Sequence, residues 1–238
     1  MENFFRLDKY VSKFAGISRR DSRRFIKGGK VEVNGKIVKE PEYKVSKRDN
    51  VRLDNKKLEA FGNIYIALYK PSGYVSSRSS KEGRNVFELI CAPYSKELSV
   101  AGRLDKDAEG LLLLSNDGSF VHKVISPKNN IEKEYIVELE SEPDGDFIEK
   151  MNKPISCGDD ILKAKKVTRL DGRKILLILT EGKFHEIKRM VKASGNKVTS
   201  IKRVRIGEFV LPEIFKPGDW KELKDFEVKK ITGEIPGD

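Results

Sequence analysis

The sequence predicts an α+β protein in two domains, and three observations carry the expectation. Charge is unevenly spread. Residues 1–60 hold 17 Lys and Arg against 9 Asp and Glu, so eight of the chain's +11 net charges fall in the first quarter of its 238 residues. Helical periodicity dominates that quarter, which reads as a small, helix-rich, basic module over residues 1–61. Beyond it, in residues 62–238, strand patterns outnumber helical ones and no βαβ alternation is evident. A basic balance with 36% charged residues points to a polyanionic partner, either nucleic acid or an anionic membrane surface. Cys91 and Cys157 lie far apart and form no metal-ligand pattern, so a reducing, cytoplasmic home is expected. No apolar run approaches the ~18 residues of a membrane span. The opening MENFFRLDKY lacks the apolar core of a signal peptide, so the protein is expected to be soluble and unexported.

In the module, Leu7, Tyr10, Val11 and Phe14 recur at i, i+3, i+4 and i+7 and make one apolar helix face that Gly16 ends. Ser18 is placed to cap a second helix, which closes near Gly28–Gly29. Along that helix Arg19, Arg23 and Lys27 repeat every fourth residue, with Arg20 and Arg24 beside them. No acid is expected to offset this stripe, so it predicts a phosphate-binding face. Asn34–Gly35 between VEV and KIV predicts a hairpin.

In the larger domain, residues 64–69, 111–114, 134–140 and 175–179 read as strands, and Asn116-Asp117-Gly118 as a turn. Residues 185–194 form an amphipathic helix, with Ile187, Met190 and Val191 on one side and Gly195 at its end. The segment AGRLDKDAEGLLLLSNDG (residues 101–118) places Arg103 and Asp105 on a loop that leads straight into a core strand, a setting rigid enough for a reactive group. By itself an Asp beside an Arg is most often an ion pair.

Two resemblances add to this. RLDKYVSKFAGISRRDSRRFIKGGKVEVNGKIV (residues 6–38) resembles the small RNA-binding domain named after ribosomal small-subunit protein four. The segment at 101–118 resembles the G-R-L-D-x-x-T-x-G-L-L-L-L-T-N-D-G signature of RsuA-type pseudouridine synthases. So do YKPSGYVSS (69–77), IEKEYIVEL (131–139), EGKFHEIKRMVKASGNKV (181–198) and RVRIGEFVLPEIFKPGDWKEL (203–223), in the family's order. The resemblance implies a mixed, mainly antiparallel sheet crossed by an active cleft. It implies that Asp105 is the essential carboxylate and Tyr135 the ring that stacks on the target base. Lys188 would pair with the aspartate, and Arg103 would act in base flipping. Ala108 and Glu186 depart from the family's usual Thr and Gln, and neither carries an implied role in the chemistry.

The implied reaction breaks the ribose C1′–N1 bond of a uridine and rejoins the base through C5, with no redox change, hydrolysis or cofactor. One ionised carboxylate suffices, as nucleophile or as a base on the sugar. Burial raises such a group's pKa and a neighbouring cation lowers it, so Arg103 and Lys188 are its expected partners. The expected substrate is small-subunit rRNA or an assembly intermediate of that subunit, acted on by a monomer. The stretch SPKNNIEKEY (126–135) resembles the small-subunit subgroup, and large-subunit rRNA is the alternative. Two rival readings remain. One is an RNA-binding assembly factor without catalysis, which has no need of the Asp105–Tyr135–Lys188 set. The other is a metal-dependent nuclease using Asp105, Asp107 and Glu109, which read more simply as a solvated acidic loop. His185 reads as a structural residue opening its helix, and His122 as ordinary.

Overall fold

A computed structural model describes residues 4–46, 48–58, 62–78 and 83–234. The chain divides between Asn63 and Ile64 into two units. Phe61, in the expected joint, lies outside the described residues.

In the first unit β1 (Phe5–Arg6) runs directly into α1 (Leu7–Ala15), which buries Leu7, Tyr10 and Val11. Gly16 stops this helix at φ 67°, a conformation that costs a residue without Cβ nothing. α2 (Arg19–Lys27) opens on Ser18, whose hydroxyl accepts the Asp21 N–H at 3.0 Å. Asn34 and Gly35, both at positive φ, turn β2 (Val31–Val33) into β3 (Lys36–Ile37). β4 (Lys44–Val45) pairs with β1, while β5 (Val51–Leu53) and β6 (Lys56–Lys57) complete a sheet of order β3-β2-β5-β6. The expectation of a helix-rich module is therefore corrected. Val31, Val33, Val45 and Val51 share one core with Leu7, Val11 and Ile26, so strands and helices contribute alike. Strands of two or three residues are too short for an alternating pattern to reveal.

The second unit is built on one sheet, which among the described residues runs β13-β14-β10-β15-β9-β7-β17, with β8 on β9 and β16 on β15. In chain order the elements are β7 (Tyr65–Lys70), β8 (Ser99–Ala101), β9 (Glu109–Ser115) and α3 (Gly118–Ile125). Next come β10 (Lys133–Leu139), α4 (Gly145–Met151), β11 (Ile155–Cys157), β12 (Asp160–Leu162), β13 (Lys166–Arg169) and β14 (Lys174–Leu179). The unit closes with α5 (Glu186–Ala193), β15 (Val198–Ile206), β16 (Phe209–Val210), β17 (Trp220–Glu222) and α6 (Asp225–Thr232). Every pairing in the sheet is antiparallel except β15 with β9, so it is mixed and mainly antiparallel.

Two apolar layers cover the sheet. α3 and α6 pack Phe120, Val124, Val228 and Ile231 against Tyr65, Leu111 and Leu113. α4 and α5 pack Met151, Met190 and Val191 against Val137, Leu139, Ile175 and Leu177. The leucine run of β9 is buried on both faces, as a central strand requires. Asp117 does more than turn the chain: it caps α3 by accepting the Ser119 N–H at 2.9 Å.

Candidate active site

Asp105 lies on the loop of residues 102–108 between β8 and β9, and that loop is tied down along its whole length. Every carbonyl from Gly102 to Ala108 accepts a hydrogen bond. The Arg203 guanidinium donates to Gly102 at 3.0 Å and to Arg103 at 3.5 Å. The Ser76 hydroxyl donates to Leu104 at 2.8 Å and accepts the Leu104 N–H at 3.2 Å. The Ala108 N–H closes a turn on Asp105 at 3.2 Å, and the Gly73 N–H reaches Lys106 at 2.7 Å. Ser72 donates to Asp107 at 3.1 Å. The Lys70 ammonium donates to Lys106 at 3.2 Å and Ala108 at 2.5 Å, with Pro71 as a third acceptor at 3.1 Å. The segment at residues 70–76 thus serves the loop. Its Lys and Ser side chains and one glycine N–H supply donors that no regular element provides there.

Two buried cations back this arrangement. Arg203 is only 1% exposed, and β15 sets it opposite Tyr135 of β10 and Gly110 of β9. Its Nε donates to the Leu111 carbonyl at 2.7 Å, and its Nη1 lies 3.5 Å from the Tyr135 hydroxyl. Burial pushes the Lys70 amine down to about 8, against the opposing pull of Asp107 and Asp105.

In front of the loop, Lys188 of α5 holds its Nζ 2.7 Å from both oxygens of Asp107 and 3.5 Å from Asp105 Oδ2. His185 Nε2 stands 3.8 Å from the same Asp105 oxygen. Burial raises the Asp107 carboxyl, but the Lys188 hydrogen bond and charge outweigh it and hold the group below its ordinary range. A cleft of about 790 Å³ opens here, lined by Arg103, Asp105, Tyr135 and Lys188 together, with Phe184 and His185 on its wall. That volume suits a small ligand or a single nucleotide.

All four residues proposed for chemistry therefore meet in one cleft, with one change in their pairing. Arg103 makes no ion pair with Asp105 among the described residues; its carbonyl is held by Arg203 and its side chain is exposed. The cations nearest Asp105 are Lys188 and, when protonated, His185. His185 does open α5, as expected, and its ring also lies on the cleft wall. Glu186, in place of the usual Gln, accepts the Lys183 N–H at 2.9 Å, a task the amide oxygen of Gln performs equally well. Asp107 and Glu109 are occupied by Lys188 and by the Tyr69 hydroxyl, the latter at 3.1 Å. Among the described residues no three His, Cys, Asp or Glu side chains gather as a metal set.

The basic stripe of the first unit also needs correction, because acids do offset part of it. The Asp8 carboxylate, fully buried, takes Arg19 at 2.9 Å, Arg23 at 2.8 Å and Arg6 at 3.1 Å. Arg24 pairs with Asp21 at 3.2 Å. Arg20 and Lys27 have no ion-pair partner among the described residues. Sequence reasoning misses Asp8 because it lies one helix earlier, and Asp21 because a single acid is easily lost among five cations. It assigns no role to Lys70 or Arg203, although both fall within segments that carry the family resemblance and each is a cation at an inward position of an apolar strand.

Comparison with known proteins gives a consistent result. The family model described as RNA pseudouridylate synthase matches residues 64–193, and the S4 domain model matches residues 5–51. An uncharacterized RNA pseudouridine synthase of Aquifex aeolicus is 40% identical, over 95% of each chain. The ribosomal small subunit pseudouridine synthase A of Vibrio parahaemolyticus is 36% identical over 95% of this chain and 99% of its own, and that of Escherichia coli 34% over 95% and 100%. A crystal structure of a pseudouridylate synthase aligns with TM-score 0.69 at 32% identity, covering 95% of this chain and 99% of the other.

Proposed function

The chain belongs to the RNA pseudouridylate synthase family and is an isomerase of that class, and we propose that it acts on a specific uridine of small-subunit rRNA with Asp105 as the reacting carboxylate. The observation that carries the reading is the Asp105 loop. Seven consecutive carbonyls are satisfied, so the carboxylate is held in place at a cleft wall shared with Tyr135 and Lys188.

In this reading the uridine leaves its stack, at a cost of a few kcal/mol. Tyr135 recovers part of that cost by stacking on the base. Asp105 then acts at the sugar, as nucleophile on C1′ or as base, and the freed uracil turns and bonds through C5. Lys188 holds positive charge beside the carboxylate, while Arg103, on the exposed rim, engages the RNA as the base turns out. Arg20 and Lys27 supply phosphate contacts from the first unit, with Arg19, Arg23 and Arg24 contributing the charge their acids leave over. The small-subunit assignment is supported by the names of the relatives from Vibrio parahaemolyticus and Escherichia coli. The substrate would be the rRNA or an assembly particle containing it, met in the cytoplasm by a monomer with no cofactor.

Tritium release from rRNA labelled at uridine C5 tests this, because forming the C1′–C5 bond expels that hydrogen. Release is expected from small-subunit rRNA or its particle with the parent protein. It should fall to background with Asp105→Asn while RNA affinity stays within a few-fold. Sustained release by Asp105→Asn refutes the role of the carboxylate, and release only from large-subunit rRNA moves the substrate.

A further inference from the structure

Among the described residues no aromatic side chain is more exposed than Phe184, at 76%. Its ring lies flat on that of His185, with centroids 3.8 Å apart and planes 20° apart. The supporting backbone is pinned. The Lys183 N–H donates to Glu186 and the Arg189 N–H to the His185 carbonyl, each at 2.9 Å, and Arg189 ties α5 to Asp160 at 2.8 Å. His185 itself takes φ 48°, which is uncommon for a residue with a side chain. Both rings line the cleft that holds Asp105 and Tyr135, as do Lys183 and Lys188.

We propose that the Phe184–His185 pair is a second stacking platform, which takes the face of an RNA base next to the uridine held at Asp105 and Tyr135. The inference rests on reading the cleft as a uridine site. A uridine that swings out leaves its neighbours with open faces, and a flat aromatic surface at the mouth of the cleft restores one of them. Only one ring face is offered. Its chain neighbours Glu181, Gly182 and Lys183 are polar or small, and the ring lines the same cleft as Asp105 and Tyr135, within reach of a nucleotide next to one bound there. Because every base has a π-face, the contact adds affinity with little sequence preference.

The test uses the full chain and transcribed small-subunit rRNA. With Phe184→Ala, KM for the RNA in the tritium-release assay should rise roughly five- to a hundredfold, with the loss carried by KM rather than kcat. Phe184→Tyr should restore the parent value, and Phe184→Leu, which fills space without a π-face, should not. Phe184→Trp gives a direct readout: its added indole emission should be quenched as RNA is titrated, beyond any change in the parent, which carries only Trp220. A leucine variant that matches the parent overturns the platform, as does an indole that RNA leaves unquenched at saturation. If the parent releases no tritium, the uridine-site reading fails by itself, and the quenching titration still decides whether a base lies on this ring.

Discussion

Gly110 stands where β9 meets β15, and replacing it with Ala probes the geometry of the whole site. A Cβ at this position would lie 2.3 Å from the Arg203 carbonyl oxygen, 2.7 Å from its nitrogen and 3.0 Å from its carbonyl carbon, with φ at +103°. All three are backbone atoms, so no side chain can swing aside. The backbone conformation alone costs on the order of 1–3 kcal/mol for a residue with a side chain. Forcing two paired strands apart costs about as much again. Gly110→Ala should therefore lose roughly 2–6 kcal/mol, a large share of the ~5–15 kcal/mol that holds a domain folded. Urea unfolding followed by Trp220 emission reads the second unit, because Trp220 lies on β17 of the same sheet. Gly118→Ala is the control: no atom approaches its Cβ, and it begins α3, so it should be neutral or gain up to about 1 kcal/mol. Any folded Gly110→Ala should also lose kcat, since the displaced Arg203 is the residue that holds the Gly102 and Arg103 carbonyls. A Gly110→Ala protein within about 1 kcal/mol of the parent refutes the close approach of the two strands.

Further outcomes follow from the charges. Burial disfavours the Asp8 carboxylate, but its hydrogen bonds to Arg6, Arg23 and Arg19 prevail and hold it far below its ordinary value. It thus contributes stability that is present above about pH 4 and lost as the pH falls further; urea unfolding of the first unit should show this loss, and Asp8→Asn should flatten it. Arg20→Gln with Lys27→Gln should weaken rRNA binding and reduce the slope of log K against log salt by roughly 0.7–0.9 for each phosphate no longer neutralised, without destabilising the fold. Arg19→Gln with Arg23→Gln should do both, because Asp8 is then left buried with too little compensation, and equal unfolding midpoints for the two pairs would contradict the assignment. Lys70, at about 8, has three N–H groups for three carbonyls when charged and two when neutral, so kcat/KM should fall above about pH 8 with a limb that Lys70→Met removes. Stability should move the other way: with the folded pKa lowered, the unfolded state binds more protons between about pH 8 and the ordinary 10.5, so the second unit gains stability across that window. Lys133, also lowered to about 8 by burial, adds to the same effect.

Much of the fold is legible where an element is long enough to carry a period. The strand over 133–139, the helix over 186–193 and both helices of the first unit lie within a residue or two of where their patterns put them. The leucine run of β9 reads as buried on both faces, and it is. The elements that escape such reading are short, or lack a contrast between faces. β11 and β12 have three residues each, and nine-residue β15 mixes Lys202, Arg203 and Arg205 into its apolar positions. At the site, motifs single out Asp105, Tyr135 and Lys188, and these do share a cleft. Proximity in sequence misleads about the partner of Asp105: its near neighbour Arg103 does not pair with it, and a residue 83 positions away, Lys188, does.

The amino-acid sequence by itself determined the family, the division into a basic unit and a strand-rich unit, and which residues to look for in one cleft. These depend on residue identity and local order, which a sequence states outright. Tertiary structure alone decided what holds those residues in place. A buried Arg203 serving a loop a hundred residues earlier, a Lys70 shared among three carbonyls, and an Asp8 collecting three arginines are all relations between distant positions. Each exists because a buried polar group must find a partner wherever the fold brings one within reach, and that reach is set by the sheet rather than by spacing along the chain.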